Sequence, residues 1–231
     1  MRTAAVLPVK SFARAKQRLR ASVLEALRRE LAEAMVADVL AALERTAGIE
    51  RTIVVTREPR VAGIAGAPGV LLLDDAAESG QSHAAAIGVA RARADGFERV
   101  LCVPGDCPAM DPRELERLLA ADAAAAAEGP AVTVLPDRHG SGTNGLLLRP
   151  PGAIAPSFGP GSCARHQALA AAAGVPCAVR ALPSLLLDVD TGADLGALRA
   201  RLAARAGGAT RTRTVLDAGR RDGAFALSGR A

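Results

Sequence analysis

The feature that most constrains the fold is a regular alternation of short apolar runs with longer segments of helical periodicity. The short runs are typical of buried strands, and the longer segments repeat apolar residues at helical spacing. The predicted strands are Thr3–Val9, Thr52–Thr56, Val70–Leu73, Arg99–Val103, Ala131–Leu135, Gly145–Leu148, Cys177–Ala181 and Leu185–Leu187. The predicted helices are Ser22–Glu44, Arg60–Ala65, Ser82–Ala94, Arg113–Ala127, Ser162–Ala173 and Asp194–Ala206.

This alternation predicts an α/β fold: a single Rossmann-like, three-layer domain in which helices cover both faces of a mostly parallel sheet. We expect the domain to span residues 1–206. Residues 207–231 are rich in Gly and Arg and lack periodicity, so we expect a mostly disordered tail. Ligands of such sheets bind beyond the carboxyl ends of the strands. The turns selected by this rule follow Val9, Leu73, Val103, Leu148 and Leu187.

Composition narrows the range of partners. Only 2% of the residues are aromatic and none is Trp or Tyr, so platforms for stacking nucleic-acid bases are missing. The net charge of +5 fits a small anionic substrate as well as it fits nucleic acid. The four cysteines show no zinc-binding spacing and indicate reduced thiols in a cytosolic protein. No signal peptide is visible, and no apolar run approaches the ~20 residues that span a bilayer.

Two lysines, Lys10 and Lys16, stand against 27 arginines, and both closely follow the first predicted strand. Lysine offers phosphate a compact point charge, whereas arginine offers a planar fork. In a chain that obtains positive charge from arginine almost everywhere else, this placement indicates a phosphate contact. The alternative is chance placement on a solvated loop.

Three aspartates end or follow predicted strands. Asp106 comes after a strand that Pro104 and Gly105 terminate, while Asp188 and Asp190 alternate in an extended segment and therefore point to one side. Carboxylates on one side repel each other unless a cation lies between them, and magnesium suits that role. The alternatives are a turn or capping role for Asp106, and capping of the next helix by Asp190 or Thr191.

Two glycine-rich loops are candidate anion sites. Residues 140–145 read G-x-G-x-x-G, but they precede a strand rather than a helix, so we reject a dinucleotide fingerprint. Their backbone N–H groups, with the Thr143 hydroxyl, remain available to an anion. In the second loop, Gly159 allows close approach and Ser162 begins a helix whose free N–H groups face the ligand. Each loop has the alternative of an ordinary turn.

A third loop opens the helix after the third predicted strand. Gly80 permits a tight approach, and the side chains of Gln81 and Ser82 are able to read a base edge or a ribose. The alternative is a plain helix cap. The three histidines show neither metal-binding spacing nor a catalytic triad order, and we interpret them as structural.

Taken together, these motifs closely resemble the 2-phospho-L-lactate / phosphoenolpyruvate guanylyltransferases of deazaflavin coenzyme F-420 biosynthesis. The segments that carry the resemblance are Leu7-Pro-Val-Lys10, Lys16-Gln-Arg-Leu19, Pro104-Gly-Asp-Cys-Pro108, Gly142-Thr-Asn144, Phe158-Gly-Pro-Gly-Ser162 and Asp188-Val-Asp-Thr191. The resemblance covers residues 1 to about 205. It implies a nucleotidyltransferase fold of the molybdenum-cofactor guanylyltransferase kind. The implied reaction joins GTP to 2-phospho-L-lactate, phosphoenolpyruvate or 3-phosphoglycerate and releases pyrophosphate.

The resemblance also implies roles for single residues. The implied magnesium ligands are Asp106, Asp188 and Asp190, and the implied contacts to the phospho-acid are Thr143, Gly159 and Ser162. The charge of the reacting phosphates is then offset by Lys10, Lys16 and Arg18. We expect the nucleotide to contact Lys10, Gly80, Gln81 and Ser82. Where the family commonly has Gly-Leu-Asn, this chain has Gly80-Gln81-Ser82.

Two other functions stay open at this point. One is a related nucleotidyltransferase that acts on molybdopterin or a sugar phosphate, and the other is a non-enzymatic GTP- or nucleic-acid-binding protein. Three acids at strand ends oppose a nucleic-acid partner, because they repel a phosphate backbone unless they hold metal. We therefore expect GTP, a small phosphorylated carboxylic acid and Mg²⁺ as partners, in the cytoplasm, with no nucleic acid or membrane. A homodimer is left open.

Overall fold

The computed structural model describes residues 1–13, 16–20, 23–66 and 68–221, and within them it contains seven strands and seven α-helices. The strands are β1 (Thr3–Val9), β2 (Arg51–Thr56), β3 (Val70–Leu73), β4 (Arg99–Cys102), β5 (Ala131–Pro136), β6 (Thr143–Arg149) and β7 (Cys177–Val179). The helices are α1 (Glu25–Glu44), α2 (Val61–Ile64), α3 (Gln81–Ala94), α4 (Pro112–Ala124), α5 (Ser162–Ala172), α6 (Gly192–Ala203) and α7 (Thr210–Arg221). The six predicted helices end within about three residues of α1 to α6, although the predicted first residue, Ser22, lies outside the described residues.

All the strands form one sheet in the order β3-β2-β1-β4-β6-β5-β7. Only β6 runs antiparallel to its neighbours, β4 and β5, so the predicted mostly parallel sheet is confirmed. The central strand β1 pairs with β2 on one side and β4 on the other, and it is buried on both faces. This position explains its nearly continuous apolar sequence.

Helices cover both faces of the sheet and complete the predicted three layers. On one face, Val36 of α1 and Leu115 of α4 pack with Leu7 of β1 in a single cluster. On the other face, Ala85 of α3 packs with Val6 of β1. Leu7 and Val6 are neighbours in one strand and therefore serve opposite faces. Among the described residues, no helix has the length and apolar character needed to cross a membrane.

The predicted strand Leu185–Leu187 is wrong. The segment leaves a turn, in which the Leu185 amide donates to the Leu182 carbonyl at 2.9 Å, and it pairs with no strand within the described part of the chain, because its polar backbone groups find other partners. The Leu185 carbonyl accepts a 2.8 Å hydrogen bond from the Asn144 side chain, and the Val189 amide donates to the Asp106 carbonyl at 3.2 Å. The predicted alternation still holds, since Leu185, Leu187 and Val189 are buried while the residues between them are partly exposed.

The expectation that the turn after Leu148 faces the ligand is also wrong. Because β6 runs antiparallel to β4, its carboxyl end lies at the opposite edge of the sheet. Its first residues, Thr143 and Asn144, lie at the ligand edge instead. They follow a tight hairpin turn, residues 137–142, in which the Asp137 carboxylate accepts the amide of Ser141 at 3.0 Å.

The interpretation of residues 207–231 as a mostly disordered tail is wrong for residues 210–221, which form α7. This helix packs on α1 and buries Leu216. Its first turn is capped by Asp38 of α1, whose carboxylate accepts the Arg211 amide at 3.1 Å and the Thr212 amide at 2.7 Å. A single buried leucine gives little periodicity, and a cap from so distant a residue leaves no local signal. Residues 222–231 lie outside the description.

Candidate active site

A cavity of about 510 Å³ opens at the carboxyl edge of the parallel strands. The sequence-predicted residues in its lining are Lys10, Lys16, Gly80, Gln81, Asp106 and Asp190. Lys10 follows β1 directly, and Gly80 caps the N-terminus of α3 with a φ of 113°, a conformation that favours glycine. The turns after β1, β3 and β4 therefore converge as the strand-end rule predicts.

Close packing between α1 and the turn after β4 brings Asp106 to this cavity. A Cβ atom on Gly105 would lie 2.9 Å from the Cγ2 atom of Val36, so only glycine lets the helix approach the turn so closely. The Asp106 carbonyl also accepts the Val189 amide at 3.2 Å. This bond fastens the segment with Asp188 and Asp190 beside Asp106.

Lys16 lies between two of the predicted metal ligands. Its Nζ atom is 2.6 Å from Asp106 Oδ2 and 3.2 Å from Asp190 Oδ1, and its side chain is only 7% exposed. Burial by itself would lower the pKa of Lys16, but the charges and hydrogen bonds of Asp106 and Asp190 outweigh it and raise that pKa. Arg18 is more exposed, with its guanidinium 3.6 Å from Asp190 Oδ2.

Asp188 is held by Asn144 on the neighbouring strand. The Asn144 amide nitrogen donates to Asp188 Oδ1 at 3.2 Å. The pKa of Asp188 is nevertheless raised, first by burial and then by the negative charge of Asp106. Two carboxylates that disfavour each other's charge are the arrangement that a cation stabilises.

One buried oxygen favours a cation at this place. The Oδ1 atom of Asp106 is buried and has no hydrogen-bond partner, although the other oxygen of the same carboxylate pairs with Lys16. An acceptor of this kind is costly unless a donor or metal reaches it. Across the described residues, however, no three His, Cys, Asp or Glu side chains are gathered closely enough to coordinate one ion. The Lys16 ammonium lies where two of the carboxylates would meet a shared cation.

The predicted contacts to the phospho-acid form a second cluster at the N-terminus of α5. Gly159 has a φ of 107°, and the buried Ser162 hydroxyl has no hydrogen-bond partner. The Thr143 hydroxyl lies 3.1 Å from Nδ1 of His166, which is fully buried one turn after Ser162. Burial and the nearby Arg165 guanidinium lower the pKa of His166 to about 4, so the imidazole is neutral at pH 7.

Ser82 connects the two clusters. Its hydroxyl accepts the Phe158 amide at 2.8 Å, whereas Gly80 and Gln81 line the cavity. The three phospho-acid residues are outside the lining of that cavity. The structure therefore groups most of the predicted residues into a cavity cluster and an α5 cluster, with Ser82 between them, while Arg18 and Asp188 are outside the cavity lining.

Three residues received no role at the site from the sequence, although His166 was interpreted as structural and Asn144 lies in a segment that carries the resemblance. Asp75 is 7% exposed, lines the cavity and has a buried Oδ1 atom without a partner. Because it follows β3, the rule that selected Asp106 could have found it. His166 follows Ser162 by four residues, so helical spacing could have suggested a shared face. Asn144 gave no such signal, because its partners Leu185 and Asp188 are distant in sequence.

Comparisons with known proteins identify the family. Residues 3–207 match the family described as "Guanylyl transferase CofC like". A phosphoenolpyruvate guanylyltransferase of Conexibacter woesei is 49% identical over 217 residues, which cover 94% of this chain and 96% of the relative. The chain belongs to the CofC-like guanylyl transferase family. The resemblance that the sequence motifs indicated is thereby confirmed.

Solved structures agree with the fold of a CofC-like protein. A structure described as a nucleotide-diphospho-sugar transferase from Desulfovibrio desulfuricans covers 96% of this chain and 96% of its own, with a TM-score of 0.68 and 17% identity. A Mycobacterium tuberculosis protein solved in complex with manganese covers 85% of this chain and 96% of its own, with a TM-score of 0.51 and 20% identity. At these identities the likeness concerns the fold.

Proposed function

We propose that this protein transfers the guanylyl group of GTP to the phosphate of phosphoenolpyruvate, releasing pyrophosphate, as a step of coenzyme F-420 biosynthesis. The observation that carries the proposal is the convergence of Lys16, Asp106 and Asp190 at the rim of a cavity large enough for a nucleotide. The name of the Conexibacter woesei relative supports phosphoenolpyruvate over 2-phospho-L-lactate and 3-phosphoglycerate. The unpaired state of all four cysteines supports a cytoplasmic location.

The reaction requires one anion to attack another. A phosphate oxygen of the acid forms a bond to the α-phosphorus of GTP, and the bond to the bridging oxygen of the β-phosphate breaks, so pyrophosphate leaves. The attacking oxygen is already anionic, so the step needs no general base. In our proposal Lys10, Lys16 and Arg18 offset the repulsion between the phosphates and align them.

We propose a divalent cation, Mg²⁺, as the partner of Asp106, Asp188 and Asp190. The unpartnered Oδ1 atom of Asp106 and the raised pKa of Asp188 both indicate carboxylates that an added cation would stabilise. Manganese in the Mycobacterium tuberculosis structure supports this chemistry. When bound, such an ion withdraws charge from the phosphates and holds them in line. Asp106, Asp188 and Asp190 would hold the ion with hard oxygen ligands, and Lys16 would then be free to turn to the phosphates.

We assign recognition of guanine to Asp75. A carboxylate accepts two parallel hydrogen bonds, and guanine presents two neighbouring donors, N1–H and the N2 amino group. Adenine and cytosine present a ring acceptor next to their amino group, and this acceptor would face the carboxylate unfavourably. The buried, unpartnered Oδ1 atom of Asp75 in the cavity lining supports the assignment. Gln81 and Gly80 lie at the same cavity, near the ribose in our proposal.

The acid would bind at the N-terminus of α5. The positive end of the α5 dipole there favours an anion. The first two amides of the helix, those of Ser162 and Cys163, already donate to carbonyls, so the expected free N–H groups are reduced, but the buried Ser162 hydroxyl lacks a partner within the described residues. Gly159 keeps the approach open, and Thr143 adds a second hydroxyl. A small phosphorylated acid presents both phosphate and carboxylate oxygens to such a set of donors.

The test is release of pyrophosphate in a panel of three acids and four nucleoside triphosphates. We expect turnover with GTP and phosphoenolpyruvate, and a loss of more than about tenfold in Asp106→Asn, which removes an anionic ligand but preserves shape. Turnover with a sugar phosphate and with none of the three acids would contradict the proposal. Inosine triphosphate lacks the N2 amino group. The wild type should therefore turn it over less well than GTP, whereas Asp75→Ala should turn over the two nucleotides about equally.

A further inference from the structure

His166 is the one described histidine whose two ring nitrogens both bond to parts of the α5 cluster. Its Nε2 atom accepts the Ser157 amide at 2.9 Å, and its Nδ1 atom lies 3.1 Å from the Thr143 hydroxyl. The ring is fully buried, and the Phe158 ring packs edge-on against it at a centroid distance of 5.3 Å. The imidazole therefore bridges the first residue of β6 and the loop that precedes α5.

These bonds fix the position of the single imidazole proton. A backbone amide can only donate, so Nε2 must present its lone pair to Ser157. The neutral ring then carries its proton on Nδ1 and donates it to the Thr143 oxygen. The cationic ring would direct a second N–H against the Ser157 amide, which agrees with the strongly lowered pKa of His166.

This tautomer decides what Thr143 can do. Because its oxygen accepts from His166, the proton of the Thr143 hydroxyl is directed away from the histidine and is available to an anion. The first turn of α5 is fastened nearby, since the Cys163 amide donates to the Ser141 carbonyl at 3.1 Å. Two hydroxyl protons, those of Thr143 and Ser162, then lack a protein acceptor in the described residues.

We propose that His166 is a positioning residue for the phosphorylated acid: its Nδ1–H group orients the Thr143 hydroxyl as a donor to an anionic oxygen of that substrate. The inference rests on the proposed function, because it takes the α5 cluster as the acid site. Through Ser157, the same ring holds the loop that ends at Gly159 and Ser162. One uncharged side chain thus positions both Thr143 and the loop before α5 at the proposed acid site, without adding charge there.

The test is steady-state kinetics of His166→Gln. Glutamine keeps an acceptor for the Ser157 amide but does not place a donor at the Nδ1 position. We expect the KM for phosphoenolpyruvate to rise about tenfold, as for a lost hydrogen bond to a charged group, with the KM for GTP within about twofold. An equal rise in both KM values would overturn the proposal. Wild-type turnover in the same assay tests the proposed function separately.

A double-mutant cycle distinguishes positioning from a general structural role. In a Thr143→Val background, His166→Gln should raise the KM for phosphoenolpyruvate by about twofold or less, because the hydroxyl that His166 orients is gone. The matched control is Arg165→Ala, which removes a guanidinium that bonds the Ser157 and Phe158 carbonyls at 3.2 Å without reaching Thr143. Arg165→Ala should change the KM for phosphoenolpyruvate by the same factor whether residue 143 is Thr or Val. An unchanged effect of His166→Gln in the Thr143→Val background would overturn the inference.

A measurement on the wild type needs no variant to fold. Nitrogen-15 chemical shifts of the His166 ring should report a neutral ring protonated on Nδ1 at pH 7. Saturating phosphoenolpyruvate should move the Nδ1–H resonance, and GTP alone should leave it in place. An Nε2–H tautomer, a cationic ring, or a resonance that ignores the acid would each contradict the proposal.

Discussion

Lys16 holds its ammonium 2.6 Å from Asp106 and 3.2 Å from Asp190, so two carboxylates share one buried cation. This arrangement lowers their mutual repulsion, and it also means that a metal ion at the same carboxylates must displace the ammonium. Lysine suits such an exchange because its charge is compact and its stem is flexible. The lysine that the composition singled out thus has a structural reason to differ from arginine.

Replacing Lys16 by Met should change stability and metal response in opposite directions. The metal-free variant should melt at a lower temperature than the wild type, because two carboxylates lose their cation. Mn²⁺ should raise the melting temperature of Lys16→Met more than that of the wild type, since it no longer competes with the ammonium. Lys10→Met, which removes an exposed lysine at the same cavity, is the matched control. Equal Mn²⁺ shifts in all three proteins would mean that Lys16 does not compete with metal.

His166 makes stability depend on pH in a defined window. Its pKa is about 4 in the folded protein and 6.5 in the unfolded chain, so only the unfolded chain gains this proton between those values. The contribution is complete above pH 6.5 and is lost as the pH falls toward 4, by up to about 3 kcal/mol. Denaturant titrations at pH 7 and pH 4.5 should show a smaller loss in His166→Gln than in the wild type. His83→Gln, which replaces an exposed histidine, is the control and should lose as much stability as the wild type. Equal losses of stability in the wild type and His166→Gln would refute this prediction.

The candidate site was predictable where a residue obeys a local rule. Asp106 lies in the turn after a parallel strand, and Asp188 and Asp190 are two residues apart, so the strand-end rule and the family resemblance together predicted that the three approach one another. Asn144 and His166 were not predictable in this way. His166 meets its partner Thr143 only because β6 packs against α5. Asn144 meets Leu185 and Asp188 only because β6 packs against the segment that contains them.

At the scale of elements, α3 and the loop before α5 are fastened together by Ser82. Its hydroxyl accepts the Phe158 amide at 2.8 Å, although the sequence predicted a nucleotide contact for this residue. The bond connects the helix that begins at the cavity with the loop that leads into the α5 cluster. In the proposed function, Ser82 is therefore placed to influence both substrates.

Ser82→Ala separates the two roles. If the structural bond dominates, the loop before α5 loosens, and the KM for phosphoenolpyruvate should rise severalfold while the KM for GTP stays nearly constant. The loss of one hydrogen bond should also lower the free energy of unfolding by about 1 kcal/mol. Steady-state kinetics with each substrate varied in turn give the answer. A rise confined to the KM for GTP would favour the predicted nucleotide contact instead.

Apart from residues 185–187 and α7, element types followed from periodicity, but the direction in which neighbouring strands pair did not. The reversal of β6 changes which end of that strand faces the ligand, and nothing in its apolar sequence distinguishes a parallel from an antiparallel neighbour. Similarly, residues 185–187 have the alternation of a strand, yet the Asn144 side chain takes the place of a neighbouring strand.

For the molecule as a whole, α7 extends the fold beyond residue 207, where the match to the family ends. The helix packs on α1, and Asp38 accepts two of its first amides. Such a cap satisfies N–H groups that have no partner inside the helix. The helix thereby fastens this part of the chain to α1, where Leu216 joins one apolar cluster with Leu31 and Met35.

Asp38→Ala should destabilise the protein without affecting turnover. Loss of a helix cap costs about 1–2 kcal/mol, and the melting temperature should fall by about 2–4 °C per kcal/mol in a chain of this size. Asp38→Asn retains an acceptor oxygen and should lose less. Thermal melting and pyrophosphate release of both variants give the comparison. An unchanged melting temperature in Asp38→Ala would show that α7 contributes little to the cooperative fold.

The reversal of β6 also has a consequence for how relatives of this protein diversify. It places a hairpin turn, residues 137–142, beside the first turn of α5, where the Ser141 carbonyl accepts the Cys163 amide and Arg138 pairs with Asp194 of α6 at 2.5 Å. Hairpin turns gain and lose residues in evolution without moving the strands that they join. Insertions in this turn would therefore reshape the surroundings of the proposed acid site while the carboxylates and lysines of the cavity stay in place, so relatives would be able to change the preferred acid without changing the rest of the proposed site.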